Sequence, residues 1–337
     1  MTGEKGSFGP KKCFCKKAVI LQKLEKDMKY MKESTDFNIE EATVVSLGKF
    51  DGIHRGHELL MECVAQQKKQ GLKTVVFTFD IPPKKQVLGE EGKVLTTNTE
   101  KVQLFGKLGI DYLIECPFTP EIMHMEPEDF IEMLVKKLHM KCLVAGKDFR
   151  FGYQRRGDFE LLLEKAKTYG YTALIVDKMK EDGRDISSTF IREEITAGNI
   201  EKANRLLGYP YFIQSEVVHG RNLGSRSLYP TINQIPQPEK ILPPFGVYVT
   251  RVSVEGKVFG GITNVGVKPT IEGKNPVGVE THLFDFYGNI YEKTVRVEFL
   301  KPVRRERKFS SMEELKEQIK MDIETGKKYY KNITDLC

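Results

Sequence analysis

The chain has 337 residues, of which 40% are hydrophobic and 30% charged, and it carries a net charge of +6. That length favours two domains of a soluble globular protein, and no apolar run approaches the ~20 residues of a membrane span. Ala18-Val19-Ile20-Leu21 is too short for a signal-peptide core, and the positive charge is too dispersed for a nucleic-acid stripe, being equally well explained by the handling of anionic phosphates.

Residues 1 to about 30 are rich in Lys and Gly and lead into a short charged helical candidate. Met1–Asp27 lacks a sustained apolar stripe, and residues 1–38 read as an N-terminal extension without stable structure. From Thr43 to Val176 strand and helix patterns alternate, with strands at 43–47, 73–79, 111–114, 141–145 and 171–176 and helices at 57–69, 99–108, 127–139 and 158–169. Thr99 reads as the cap of the second helix and Pro127 as a first-turn residue of the third. Such alternation implies a parallel sheet with right-handed crossovers. A helical pair over 188–207 closes this domain, placed at 39–208.

Beyond residue 210 the period changes, and strand-like runs follow at 211–218, 246–252, 257–262, 279–286 and 294–300. Tyr287-Gly288-Asn289 reads as a hairpin turn between the last two, and Ser311–Ile323 as a closing helix. Short strands with turn signals point to an antiparallel barrel, placed at 209–331. The six cysteines, at 13, 15, 63, 116, 142 and 337, show no disulfide or metal spacing. Cys63, Cys116 and Cys142 read as small buried thiols, and a reducing cytoplasm is the expected setting.

The most informative stretch is Leu47-Gly48-Lys49-Phe50-Asp51-Gly52-Ile53-His54-Arg55-Gly56-His57, which joins the first strand to a helix. A strand, a Gly-bracketed turn and a helix N-terminus make a phosphate site in an open α/β sheet. His54 and His57 stand at the positive end of the helix dipole, and Gly56 lets a nucleotide approach the backbone. Zinc would need a third ligand that no nearby His, Cys or Glu supplies, so nucleotide phosphate is the favoured reading. The pattern resembles the His-x-Gly-His motif of nucleotidyltransferases.

Two later segments belong with it. Gly146-Lys147-Asp148-Phe149-Arg150-Phe151-Gly152 follows the fourth strand, and Ile186-Ser187-Ser188-Thr189 with Arg192 combines hydroxyls with a cation suited to triphosphate oxygens. Alone, Ser-Ser-Thr before a helix is a cap; beside the histidines it reads as a phosphate contact. In the second domain Gly220-Arg-Asn-Leu-Gly224 leads to Tyr229-Pro230-Thr231-Ile232-Asn233, followed by Asn264-Val-Gly-Val-Lys-Pro-Thr270 and Glu280-Thr-His-Leu-Phe-Asp-Phe286. A hydroxyl and an amide two residues apart suit Mg²⁺ and phosphates. Glu280, in an apolar strand, suits a general base, against the bland reading of an outward-facing surface residue.

Taken together the segments closely resemble the bacterial bifunctional riboflavin kinase/FAD synthetase (FMN adenylyltransferase) family, from about residue 40 to 326. The motifs G-x-F-D-G-x-H-x-G-H, G-x-D-F-x-F-G, I-S-S-T-x-I-R, L-L-G-x-P-Y, P-T-x-N and E-x-H-L-F-D-F occur in family order. The resemblance implies an N-terminal Rossmann-like nucleotidyltransferase sheet and a C-terminal antiparallel riboflavin kinase barrel, both using MgATP. It implies that Glu280 takes the riboflavin hydroxyl proton and that Thr231 and Asn233 hold Mg²⁺. His54 and His57 would stabilise charge in adenylyl transfer. Gly48, Phe50, Asp51, Gly52, Gly56, Asp148, Ser187, Ser188, Thr189 and Arg192 would lie around one nucleotide, and Gly220 and Gly224 around the other. Riboflavin, FMN and ATP are the implied partners, with FMN and FAD as products and neither nucleic acid nor membrane. Lys49, Phe190 and Leu228 replace a usual Asn, Arg and Gly, and Phe79-Asp80-Ile81-Pro82-Pro83 lacks a usual His. These departures keep open a riboflavin kinase with a decayed or re-purposed adenylyltransferase domain, and a non-catalytic flavin-binding regulator.

Overall fold

In a computed structural model of the protein, residues 28–80, 92–219, 229–267 and 277–334 are described. Most of the extension, Ile81–Pro83, Gly220, Gly224 and Leu228 lie outside the described residues.

The first half is built on a six-stranded parallel sheet in the order β1-β4-β3-β2-β5-β6. Its strands are β1 (Lys29–Lys32), β2 (Thr43–Leu47), β3 (Lys73–Asp80), β4 (Tyr112–Pro117), β5 (Met140–Gly146) and β6 (Thr172–Val176). Val44, Val45, Val75 and Val76 are fully buried because both faces are covered. On one face Val45, Val75, Phe77, Ile114 and Leu143 pack under α4 (Pro127–Leu138) and α5 (Phe159–Tyr169). On the other, Val44, Val76, Leu113 and Val144 meet α1 (Arg55–Lys69) and α2 (Asn98–Lys107). The one-turn α3 (Pro120–Met123) precedes α4. The chain runs from β2 outward through β3 and β4, then returns to β5 on the other side of β2, so the β2/β5 boundary is the topological switch point. The histidine turn leaves the sheet there.

A small hairpin, β7 (Lys180–Glu181) and β8 (Arg184–Asp185), precedes the helical pair α6 (Ser188–Ala197) and α7 (Ile200–Leu207). The second half follows as an antiparallel sheet in the order β10-β13-β12-β11-β14-β9. Its strands are β9 (Phe212–Glu216), β10 (Ile232–Gln234), β11 (Gly246–Val254), β12 (Lys257–Val267), β13 (Val277–Leu283) and β14 (Thr294–Arg305). The two edges meet where Val218 N–H donates to Asn233 O at 2.8 Å, which nearly closes a barrel. Val252, Val265, Val279, Val297 and Phe299 fill the interior. A hydroxyl ladder Thr250–Thr263–Thr281, with steps of 2.8 Å, satisfies the buried threonines there. Helix α8 (Met312–Thr334) covers Val247, Val249 and Ile262 outside.

The structure corrects four expectations. Lys29–Lys32, assigned to the extension and followed there by a helical candidate, instead form edge strand β1 on β4, and Phe37 is 2% exposed. The segment Lys-Tyr-Met-Lys carries no apolar alternation, because β1 joins the sheet by its backbone. Helix α2 is capped by Thr97, not Thr99, through a reciprocal capping box with Glu100. Tyr287-Gly288-Asn289 closes no hairpin, since β12 and β11 lie between β13 and β14 and the chain must cross the barrel end to reach β14, beside β9. Cys116 and Cys142 are buried, but Cys63 is only partly so.

The two halves share a core rather than a linker. Leu95, Ile186, Phe190, Ile195 and Leu207 belong to one cluster with the barrel interior. At its edge Lys240 Nζ donates to Glu100 Oε2 and to Leu95 O, each at 2.6 Å, with both charged side chains 1% exposed. Glu100 Oε1 also accepts from the Gln214 amide at 3.0 Å. Burial pulls the Lys240 ammonium below its ordinary pKa, and the Glu100 carboxylate opposes that pull. Lys240→Met, which strands Glu100, is expected to cost about 3–5 kcal/mol in chemical denaturation. A loss near zero would mean that the pair is not buried in solution.

Candidate functional site

The turn after β2 is tightly wound: Phe50, Gly52 and Ile53 have φ of 48°, 90° and 36°. A β-branched residue at positive φ is strained and must be held by its surroundings. Gly52 is required twice, since a Cβ there would also fall 2.8 Å from Leu95 Cδ1. Asp51 Oδ1 accepts from the Leu95 and Thr96 amides at 2.8 and 3.0 Å, and Arg192 donates to Oδ2 at 2.7 Å. Gly52 N–H donates to Thr96 Oγ1 at 3.1 Å, Ser188 Oγ to Asp51 O at 2.7 Å, and the Tyr209 hydroxyl to Gly52 O.

This scaffold delivers His54 to the N-cap of α1 with no side-chain cap bond of its own. The helix N–H groups and its positive dipole end are therefore directed at whatever lies beyond the turn. His54 and His57 stack with ring centroids 3.8 Å apart, and Phe50 backs His57 at 5.1 Å. A Cβ on Gly56 would sit 3.0 Å from His54 Nδ1, so the glycine lets the imidazole lie against the helix. The Nδ1 atoms of both rings are buried without a protein partner, as are Ser46 Oγ and Thr78 Oγ1. By strand alternation Ser46 and Thr78 share the sheet face of Val44 and Val76, the face that carries α1. Orphaned polar atoms at the carboxyl end of a parallel sheet require a polar ligand or water.

Other residues expected here are sorted by the structure. Asp148 is exposed, bonded to Lys178 at 3.1 Å, and close enough to act electrostatically on His54. Ser187 caps α6 by accepting from Phe190 N–H at 3.2 Å, while Thr189 is exposed beside Arg192. Ser188 and Arg192 contact the turn itself. Gly48 bonds Phe77 O through its amide at 3.3 Å. Phe190 is 3% exposed in the shared core, flanked by Arg184 and Lys202, so this substitution packs into the core. Sequence reasoning missed Thr96, Tyr209, Ser46 and Thr78. Of these only Thr96 adjoined a readable signal, the Thr97-x-x-Glu100 capping box.

The second cluster lies on the outer face of the barrel. Asn233, Glu280 and Asn264 are directly opposite one another across β10, β13 and β12. Thr231 Oγ1 donates to Glu280 Oε1 at 2.6 Å, and His282, two residues along, bonds Pro230 O at 2.9 Å. Glu280 does face outward, but into this polar row of neighbours. From the sequence Asn264 carries no assigned role. Among the described residues no group of three or more His, Cys, Asp or Glu could hold a metal. Any divalent ion here would rest on a few neutral oxygens and on its phosphates, as suits Mg²⁺.

Comparison with known proteins follows the same division. A family model for FAD synthetase matches residues 36–190, and one for riboflavin kinase matches residues 207–330. Bifunctional riboflavin kinase/FMN adenylyltransferases of Bacillus subtilis and Escherichia coli K12 are each 34% identical, over 297 and 295 residues. These alignments span 86% of this chain and 93% and 94% of theirs. A crystal structure described as a macrolide-efflux protein from Streptococcus pneumoniae superposes with a TM-score of 0.78 at 31% identity, covering 89% of this chain and 98% of that one. Among the described residues here, no helix is long and apolar enough to cross a membrane.

Burial lowers the His54 pKa to about 4, against smaller opposing effects of its own backbone and Asp148. Burial, and then the neighbouring His54, hold His57 well below 6.5. Both rings are neutral in the folded protein at neutral pH, while in the unfolded chain each titrates near 6.5. Below that pH the unfolded chain takes up protons that the folded protein refuses. Stability therefore falls as pH drops from about 6.5 towards 4, by up to roughly 1.4 kcal/mol per pH unit per histidine. Denaturation midpoints measured between pH 7 and 4.5 should fall less steeply in His54→Gln. An unchanged slope would show that His54 is not held neutral.

Proposed function

The chain belongs to the bifunctional riboflavin kinase/FMN adenylyltransferase family, and on that premise we propose how its residues divide the two reactions. It phosphorylates riboflavin to FMN and adenylylates FMN to FAD, using ATP in both steps. The observation that carries the division is that the chemistry-bearing groups fall in two places. The histidine turn lies within the FAD synthetase match, and the Thr231–Glu280 pair lies within the riboflavin kinase match.

In the kinase step Glu280 accepts the proton of the riboflavin 5′-hydroxyl as that oxygen attacks the γ-phosphorus of ATP and ADP leaves. The Thr231 hydroxyl aims the carboxylate, supported by the 2.6 Å bond between them. Because Thr231 uses its proton on Glu280, its lone pairs are free for a cation, and Thr231 with Asn233 would hold Mg²⁺. When bound, Mg²⁺ neutralises charge on the phosphate oxygens. Gly220 and Gly224 are assigned to the same nucleotide.

In the adenylyltransferase step an FMN phosphate oxygen attacks the α-phosphorus of ATP and pyrophosphate leaves. No protein nucleophile is needed, because positioning and electrostatics carry transfers of this kind. His54, His57 and the α1 amides receive the charge that develops on the bridging and leaving oxygens. The low pKa values support rings that arrive neutral, each with one N–H to donate, and a bound triphosphate favours their protonation. Asp148 and Thr189, both exposed near the turn, are assigned to the nucleotide. Asp51, Ser188 and Arg192 act chiefly by holding the turn and Ser187 by capping α6, as their hydrogen bonds support. Phe190 lies in the shared core and the histidine pair is intact, which supports a working adenylyltransferase, while Lys49 and the Asp80–Pro83 departure keep the decayed-domain reading as the alternative. Both reactions consume ATP, which supports a cytoplasmic setting.

Two substitutions test the assignment. Glu280→Gln should lower riboflavin phosphorylation by about 10²–10⁴-fold while riboflavin still binds, measured by FMN formation and flavin fluorescence. Near-normal turnover would remove Glu280 as the base. His57→Ala should lower FAD formation from FMN by roughly 10²–10³-fold and leave riboflavin phosphorylation unchanged. Equal loss of both activities would instead point to a shared site or a folding defect.

A further inference from the structure

The histidine turn is clamped between two structures that belong to different halves of the chain. Residues 94–97 run across it: the Leu95 and Thr96 amides reach Asp51, and Thr96 Oγ1 accepts from Gly52 N–H. The outer side of the same segment pairs with the barrel half. Val94 N–H donates to Glu239 O at 2.8 Å, and Ile241 N–H donates to Val94 O at 3.0 Å. Between those two bonds Lys240 turns inward, where Nζ meets Leu95 O and Glu100 and lies over the Tyr211 and Phe212 rings. A second contact is direct. The successive carbonyls of Asp51 and Gly52 each take a side-chain hydroxyl, Ser188 from the first half and Tyr209 from the boundary of the second.

From this geometry we infer that the riboflavin kinase half completes the adenylyltransferase site, with Tyr209 and Lys240 as positioning residues that hold the histidine turn. The inference rests on reading that turn as the adenylyl-transfer site. Residues at strained positive φ persist only when surrounding contacts over-determine them, and here part of that determination comes from the other half. Gly52 is two residues from His54, so a carbonyl that loses its donor releases the backbone that aims the imidazole. Neither Tyr209 nor Lys240 touches the Thr231–Glu280 cluster, so phosphorylation of riboflavin does not depend on them.

The test uses the full chain, with FAD formation from FMN and FMN formation from riboflavin measured separately. Tyr209→Phe removes one hydroxyl. Lys240→Met/Glu100→Gln removes the Leu95 donor without stranding a buried charge, which recovers part of the stability that the single lysine variant loses, because the new amide can accept only one of the Thr97 and Gln214 N–H bonds that Glu100 receives. Tyr209→Phe is expected to keep a near-normal melting temperature, the double variant to melt above Lys240→Met, and both to keep riboflavin phosphorylation. Both should lose roughly 10- to 100-fold in kcat for FMN adenylylation, with KM for ATP and FMN changing far less. A merely structural contact predicts the opposite for the double variant, since recovered stability would bring adenylylation back with it. Wild-type adenylylation kcat in folded Tyr209→Phe and in the folded double variant would overturn the inference. His57→Ala run alongside separates the two claims: if it too leaves FAD formation intact, the reading of the turn fails, and if it alone abolishes FAD formation, only the positioning by the second half fails.

Discussion

A lysine and a glutamate, each 1% exposed, face each other at the seam between the two halves, and much of the molecule is arranged around them. Such a pair contributes little net stability, because the cost of desolvating both charges offsets their attraction. What it provides is register. Glu100 simultaneously closes the capping box of α2, receives the Gln214 amide of β9 and meets Lys240, so one carboxylate fixes a helix, a barrel strand and residues 94–97 relative to each other. Misalignment of any of the three would leave a charge buried without its partner. That penalty is the physical reason for a defined seam rather than a hinged linker.

From the seam the order spreads to the chemistry. Residues 94–97 pass it to Asp51 and Gly52, the turn passes it to the α1 N-terminus, and the stacked histidines stand there with buried Nδ1 atoms that no protein group satisfies. The barrel site is organised differently. Asn233, Glu280 and Asn264 are set side by side by the ladder of β10, β13 and β12, and Thr231 orients the carboxylate from the adjoining chain. One site thus depends on long-range clamping of a strained turn, and the other on regular strand pairing.

That difference explains what could be read from the sequence. The parallel strands announced themselves as Val-rich runs, and the histidine turn as a strand-turn-helix signal, because both are local. The barrel strands were found individually, but Tyr287-Gly288-Asn289 misled as a hairpin because strand order in an antiparallel sheet is not encoded next to the turn. Strand β1 was invisible because Lys-Tyr-Met-Lys enters an edge through backbone bonds. Lys240 sits in Gln237-Pro238-Glu239-Lys240-Ile241, where a lone lysine reads as solvated surface, and its partner is 140 residues away. Tyr209 occupies the variable position of L-L-G-x-P-Y, so neither pattern nor resemblance marks it. The chemistry-bearing motifs were legible, and the contacts that hold one of them in place were not.

The central claim is that the histidine turn is locked into the global fold from both halves. Native-state hydrogen exchange at the Leu95, Thr96 and Gly52 amides tests it most directly, because all three bonds tie residues 94–97 to the turn. The account predicts that these amides exchange only through global unfolding, as slowly as core amides such as those of Val75 and Val265. Fast exchange at the three positions, with both cores still protected, would show a turn that opens on its own and would contradict it.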